Sequence, residues 1–441
     1  MNLDTLIDPR TGIIRRLERL QLHPHLPAAF RSVASRISDT TTFSPWPSDP
    51  SGAGCAAWDE DAAHAAAIGE AVERYCGNLV PPLDRLTFAT YEEMQHRAEP
   101  AIDPTILALY APEQYALPGF PFVPITHHTR VRWTLGENLA TGEPVWVPAF
   151  LVWVTYYRGP SVAPEPRISV SAYGGIATGP TAAAARWSAL QELVERDAVT
   201  LGWTGGGNLI PLQPPGWLDT LAASPTDALT THFLRFPTDF GLPVIGALVE
   251  DHIDHYITLG LSCRPDPADA ALKALAEAVR DQMVVRDLDD PASALSRVAA
   301  TADSPLKPWC ADRAYSRLYR ADLRDVTDPG CHLQLHLDPT VQAGFTRELT
   351  TALVPPRPLD DTATGTADPF TDTVCLLTEK GFPVIAVDVT TDDVRAAGLH
   401  VARVIVPGLY NNAPAAYPYL GGTRMPAQLA GRPARLLPLP H

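Results

Sequence analysis

Two helical stretches of this chain carry the same arrangement of acids. In "AIGEAVERYCG", residues 67 to 77, and "ALQELVERDAV", residues 189 to 199, the pattern A-x-x-E-x-V-E-R sets Glu70 with Glu73, and Glu192 with Glu195, one turn apart. The same interval of 122 residues separates Glu70 from Glu192 and Glu73 from Glu195. A third stretch, "ALAEAVRDQ", repeats A-x-x-E-A-V around Glu277 but has Arg280 where the others have their second acid. On a helix, positions three apart share a face, so each pair aims two carboxylates in nearly one direction. Like charges so placed repel, and apolar neighbours raise the cost of ionising them. A fold in which these helices converge has to supply positive charge.

Four carboxylates from two helices suit Mg2+, a hard ion that takes oxygen ligands and commonly also holds phosphate oxygens. Glu70, Glu73, Glu192 and Glu195 are therefore the expected metal ligands, with Arg74 and Arg196 binding phosphate or neutralising the acids, and Glu277, at the matching place in the third stretch, is expected to join the metal ligands. Read singly, each E-x-x-E-R is a solvated helix face with ordinary ion pairs; the duplication favours a site. "AYGGIATGPT" adds glycines just before the second helix, where backbone N–H groups and the helix dipole favour anions.

Along the chain, helical patterns are expected at about residues 12 to 21, 59 to 77 and 181 to 201, and again in "DPADAALKALAEAVRDQMVVRDL" after an Asp/Pro N-terminal signature. "GEPVWVPAFLVWVTY", "RISVSAYGG", "LPVIGALVEDH", "YITLGLSCR", "GFPVIAVDVT" and "HVARVIVPGL" read as strands, the middle pair joined by a turn at "HIDH", the last pair by a short helix in "TTDDVRAAG". The mixture, with hairpin-like connections, predicts an α+β fold. One domain over 1–441 is expected, with an N-terminal segment to residue 40, a partly loop-rich region at 287–372 that includes "DDTATGTADP", and a proline-spaced tail from 425.

A net charge of −16 opposes general nucleic-acid binding, and the basic run "RRLERL" around Arg15 and Arg16 reads as a solvated helix face. Six scattered cysteines without a CxxC read as small buried hydrophobes in a reducing compartment. No apolar run approaches a membrane span and the N-terminus has no signal-like core, so a cytoplasmic protein is expected.

"DHIDHY" offers His252 and His255 with Asp251 and Asp254, but a turn between strands explains the spacing better than a metal site does. "CHLQLH" alternates as a strand would, turning its residues to different faces and giving His332 and His336 structural roles. His441 would act as acid or base if the tail entered a site.

Taken in order, "LIDPRTGII", "SGAG" at 51 to 54, "AIGEAVERY", "GGIATG" before "ALQELVERDAV", "DAALKALAEAV" and "RVIVPGL" at 403 to 409 resemble the YcaO family over most of the chain. The resemblance implies an internally pseudo-symmetric fold with glutamate-bearing helices on mixed sheets, holding Mg2+ and ATP for chemistry on a backbone amide of a ribosomally made peptide. In the azoline-forming branch, a Cys, Ser or Thr side chain attacks the preceding amide carbonyl, ATP phosphorylates the oxyanion, and phosphate leaves to give a thiazoline or oxazoline. Pro438 and Pro440 of "LLPLPH" match that branch's proline-spaced tail, which reaches the active site.

The sequence departs from the family pattern at Ala53, where a lysine is usual, at Ala66, where a serine is usual, near Ala184, and on the third helix, where E-x-x-Q-x-R becomes Glu277, Arg280, Gln282. Two readings follow: an active enzyme in which Arg280 or Arg403 meets phosphate differently, or a binding subunit that keeps the scaffold. A thioamide- or amidine-forming enzyme is a third. The resemblance also implies a homodimer, and with no leader-recognition domain evident, a separate partner protein is expected to deliver the precursor peptide.

Overall fold

The computed structural model describes residues 3–159, 165–362 and 367–441. Strands β1 (Ile14–Leu20), β2 (Phe30–Ile37) and β3 (Ser51–Ala57) form one antiparallel sheet. They are followed by β4 (Thr87–Ala89), β5 (Val131–Asn138), β6 (Pro144–Pro148), β7 (Ile176–Gly179), β8 (Ile210–Gln213), β9 (Leu229–Phe236), β10 (Val244–Asp251), β11 (Tyr256–Cys263), β12 (Arg357–Pro358), β13 (Ile385–Asp388) and β14 (His400–Ile405). One further sheet has the order β11-β10-β9-β8-β12, antiparallel except that β12 runs parallel to β8; the other has the order β4-β5-β13-β14-β7, with β6 paired to β5. Helices and sheets mix as the sequence predicts.

The three glutamate helices span Glu60–Cys76, Ala182–Trp203 and Pro267–Asp289. Each starts on a side-chain cap: Asp59 accepts from the Ala62 amide, Thr181 from Ala184, and Asp266 from Ala268 and Asp269, with Pro267 at the first helical position. Each also crosses the strand that precedes it at a glycine. A Cβ on Gly54 of β3 would lie 2.1 Å from the Ala63 carbonyl oxygen, on Gly179 of β7 2.5 Å from the Ala185 nitrogen, and on Gly260 of β11 1.9 Å from the Ala274 carbonyl oxygen. Alanine on the helix and glycine on the strand let backbone approach backbone, which is why these helices are so rich in alanine.

Strands β10 and β11 are buried almost throughout because helices cover both faces. Ile245, Ala247 and Val249 pack with Ala270, Ala274, Leu275 and Ala278 of the third helix. The alternate residues Val244, Leu248, Leu259 and Leu261 pack with Leu190, Leu193 and Val194 of the second. Among the described residues, no helix is long and apolar enough to cross a membrane.

Several local expectations are corrected. The segment expected to be helical at 12 to 21 is β1, an edge strand whose arginines and glutamate stay largely exposed, a common way to blunt a sheet edge. "RISVSAYGG" is not a strand, because its backbone bonds to side chains instead: Ile168 N–H donates to the Tyr157 hydroxyl and Val170 N–H to the Tyr110 hydroxyl. The run "GEPVWVPAFLVWVTY" stays extended only to Pro148 and then tightens into 3-10 turns at Ala149–Leu151 and Tyr156–Arg158. "CHLQLH" belongs to a helix, Gly330–Leu335, so its residues do not alternate between the faces of a strand and His332 and His336 sit a helical turn apart. The loop-rich region also contains helices at Ala294–Ala299 and Pro339–Ala352; of "DDTATGTADP", residues 363–366 lie outside the described residues.

Candidate active site

One cleft of about 940 Å³ gathers Glu70 and Glu73 from the first helix, Glu192 and Glu195 from the second and Glu277 from the third, with Arg74, Arg196, Arg280 and His441. Three of the carboxylates are held by a main-chain amide: Ala53 N–H donates to Glu70 (3.2 Å), Thr178 N–H to Glu73 (2.8 Å) and Gly175 N–H to Glu192 (3.0 Å). The glycine loop read from the sequence as an anion cradle thus points amides at the protein's own acids.

The arginines bridge them. Arg74 donates to Glu70 (2.9 Å) and Asp49 (3.3 Å), its guanidinium carbon 3.7 Å from the Tyr173 ring centroid. Arg196 lies 3.5 Å from Glu192 and 3.3 Å from Glu195, and its buried Nε has no hydrogen-bond partner among the described residues. Arg280 holds Asp281 at 3.2 Å and reaches Glu70 at 3.8 Å.

These cations do not neutralise every acid. Burial, with repulsion from Glu192 and Glu70, pushes the Glu73 carboxyl up to about 8 despite the Thr178 amide. Burial also raises Glu195, with Glu277 and Glu192 acting in the same direction and Arg196 against it. Glu277 goes the other way: burial disfavours its charge, but Lys273, 3.0 Å away, and Arg280 outweigh that. Glu70 is likewise lowered, Arg280 and Arg74 overcoming its burial.

The tail runs to the cleft edge. Trp203 Nε1–H donates to the Leu437 carbonyl (2.7 Å), His336 Nε2 to Pro438 (2.8 Å) and Leu259 N–H to Pro440 (2.7 Å), so carbonyls of the proline-spaced segment are satisfied along its path. Pro438 and Pro440 position the tail without lining the cleft; His441 lines it. Burial and Arg196 depress the His441 imidazole to about 3, so it is neutral: Nδ1–H donates to the Leu259 carbonyl (2.9 Å) and Nε2 accepts from Arg196 (2.7 Å).

Arg403 does not line the cleft either. Its buried guanidinium donates to the carbonyls of Leu151, Ala172, Tyr173 and Gly174, clamping the loop whose Gly175 amide holds Glu192. The sequence reading also missed Asp49, Lys273 and Asp281, which line the cleft. Asp281 was legible, standing one turn after Glu277 on the same helix. Gln282 points elsewhere, to the Val249 carbonyl and Thr258.

Residues 54–410 match the family model described as YcaO cyclodehydratase, ATP- and Mg2+-binding. The chain belongs to the YcaO family. Over 241 residues it is 29% identical to an uncharacterized protein in the tfuA 3′ region of Rhizobium leguminosarum bv. trifolii, covering 51% of this chain and 53% of that protein. Its fold is similar to that of a heterocyclase in complex with substrate and cofactor (TM-score 0.63, 20% identity, 94% of this chain and 53% of that one). It is also similar to YcaO from Methanopyrus kandleri bound with AMPPCP and Mg2+ (TM-score 0.58, 19% identity, 92% and 91%). This YcaO chain therefore spans about half the length of the Rhizobium protein and of the heterocyclase, and nearly all of the Methanopyrus one.

Proposed function

We propose that this YcaO protein is an ATP- and Mg2+-dependent peptide cyclodehydratase that converts Cys, Ser or Thr of a ribosomal precursor peptide to azolines. The observation that carries the reading is the convergence of five glutamates and three arginines, from three helices, on one cleft. The donor set fits Mg2+: every candidate ligand is a carboxylate oxygen, and burial holds the Glu73 carboxyl up at about 8, as expected of an acid short of positive charge. When bound, Mg2+ would neutralise phosphate oxygens during phosphoryl transfer.

In this reading Glu70, Glu73, Glu192, Glu195 and Glu277 hold the metal. Arg74, Arg196 and Arg280, which pair with acids of the cleft, would supply donors to phosphate oxygens. Arg196 also meets His441 Nε2 at 2.7 Å, a contact that ties the tail to the cleft. The reading includes a separate leader-binding partner and a second copy of the chain. A non-catalytic binding subunit is the second reading, favoured by Ala53 and Ala66, which line the cleft without a polar group.

Calorimetric titration of Mg-ATP into the native chain and a Glu192→Ala/Glu195→Ala variant tests the proposal. Binding by the native chain and its loss in the variant is the expected result; no binding by the native chain with precursor peptide and partner present would sink it. Mass spectrometry of the treated peptide then separates water loss, for an azoline, from replacement of oxygen by sulfur.

The affinity is also expected to depend on pH. Glu73, with its carboxyl at about 8, is mostly protonated at neutral pH and must release that proton to meet a cation. Affinity should therefore rise by about 25-fold between pH 6.5 and 8.5, with proton uptake by the buffer visible in the heat. A flat profile would show that Glu73 is not a ligand.

A further inference from the structure

Away from the cleft, two histidines and an aspartate from distant parts of the chain meet. His23 and His25 flank Pro24 in the connection from β1 to β2, and the proline ring fixes the backbone between them. Their imidazoles lie edge to face with centroids 4.5 Å apart. Facing them is Asp254, in the turn between β10 and β11. Among the described residues, His23, His25 and Asp254 are the set of three whose ligand atoms lie within 4.8 Å of one another, and all three are half-buried. The glutamates of the cleft do not gather so closely.

The neighbouring groups are arranged as they are around bound metals. Asp251, fully buried at the end of β10, accepts the amides of Ile253 (2.9 Å) and Asp254 (2.8 Å) on Oδ1, which fixes the turn. Its Oδ2 accepts from His25 Nδ1 at 3.0 Å, and Asp254 Oδ2 lies 3.3 Å from the same nitrogen. A proton held on Nδ1 leaves the His25 Nε2 lone pair free, the carboxylate–histidine relation typical of metal-ligating imidazoles. His23 Nδ1 accepts weakly from the His25 amide at 3.4 Å, which fixes the orientation of its ring.

Arg286 ion-pairs with both Asp251 and Asp254. A hard ion attracted chiefly by carboxylate would compete with that guanidinium, whereas a borderline ion gains from the imidazole nitrogens. A surface cavity of about 520 Å³, lined by Arg19, Leu22, His23 and Phe30, borders the cluster on the His23 side. His252 and His255 of "DHIDHY" stay outside: His252 Nε2 meets the Thr230 hydroxyl at 2.6 Å, and His255 takes the positive φ (59°) of the turn.

We propose that His23, His25 and Asp254 bind one divalent transition-metal ion of the Zn2+ class, with Asp251 orienting His25, fastening the β1–β2 connection to the β10–β11 turn. Three protein ligands leave a fourth position for water. This site is independent of the glutamate cleft.

Titration of the metal-stripped full chain with Zn2+ and Co2+ tests it. One equivalent should bind, Co2+ should show the visible bands of four- or five-coordinate nitrogen–oxygen ligation, and equimolar Mg2+ should not compete. His23→Gln and His25→Gln should each weaken Zn2+ binding at least about tenfold, and Asp251→Asn by about 10- to 100-fold. Because Asp251 also holds Arg286, the histidine variants decide the matter, with near-ultraviolet circular dichroism confirming their fold. No stoichiometric binding, or equal affinity in the His23→Gln/His25→Gln double variant, would overturn the assignment.

Discussion

Replacing Gly260 by valine is expected to abolish accumulation of folded protein. A Cβ there would sit 1.9 Å from the Ala274 carbonyl oxygen and 2.4 Å from the Ala278 nitrogen, so the obstacle is main chain that no rotamer change relieves. Overpacking against movable side chains costs 1–3 kcal/mol, and here the cost should exceed about 3 kcal/mol because the third glutamate helix must lift off β11. Gly216→Ala is the matched control, since a Cβ at that position meets nothing within 4 Å and Gly216 lies in a helix, where alanine is the better former. Soluble yield and urea midpoints of the two variants compare them directly. A Gly260→Val protein with a native midpoint would mean that the helix does not lie where it is described.

Arg196→Ala should be the most damaging single change inside the cleft. It removes the group that lies 3.5 Å from Glu192, 3.3 Å from Glu195 and 2.7 Å from His441 Nε2. Breaking a buried pair from one side costs about 3–5 kcal/mol, because the acids stay buried without their cation. The loss should vary with pH in a definite direction: largest where Glu195 is ionised, smallest in acid where it is protonated in folded and unfolded chains alike. Denaturation at about pH 3.5 and about pH 8.5 would show it, and a pH-independent loss would point to packing alone. The native protein carries a related dependence: because Glu73 is raised from 4.5 to about 8 on folding, its contribution is complete below about pH 4.5 and fades as pH rises through about 8.

The helices were legible because their signals are local. The caps Asp59, Thr181 and Asp266 and the repeated A-x-x-E-x-V-E-R lie within a few residues of what they control. The acids were legible because a pair repeated at one interval stands out from ordinary surface charge. What stayed hidden depends on distant partners. Residues 167–175 look like a strand, yet the hydroxyls of Tyr110 and Tyr157 and the guanidinium of Arg403 take up backbone groups that a neighbouring strand would have used. Arg403 looked like a phosphate ligand because a buried arginine and an exposed one are written the same way. Asp254 looked like part of a local histidine cluster, whereas the histidines near it come from residues 23 and 25.

The anchoring of Glu70, Glu73 and Glu192 by the amides of Ala53, Thr178 and Gly175 bears on how such a cleft diversifies. A main-chain amide makes the same bond whichever of the non-proline residues carries it, so the side chains at positions 53 and 178 can change while the acids hold their places; Gly175 cannot, because its φ is 96° and a Cβ there would lie 2.8 Å from the Val404 carbonyl oxygen. Ala53 is an instance: its side chain offers the cleft nothing polar, yet its amide holds Glu70. The placing of the acids thus rests on main chain and the lining of the cleft on side chains, so the lining can change without rebuilding the acidic frame.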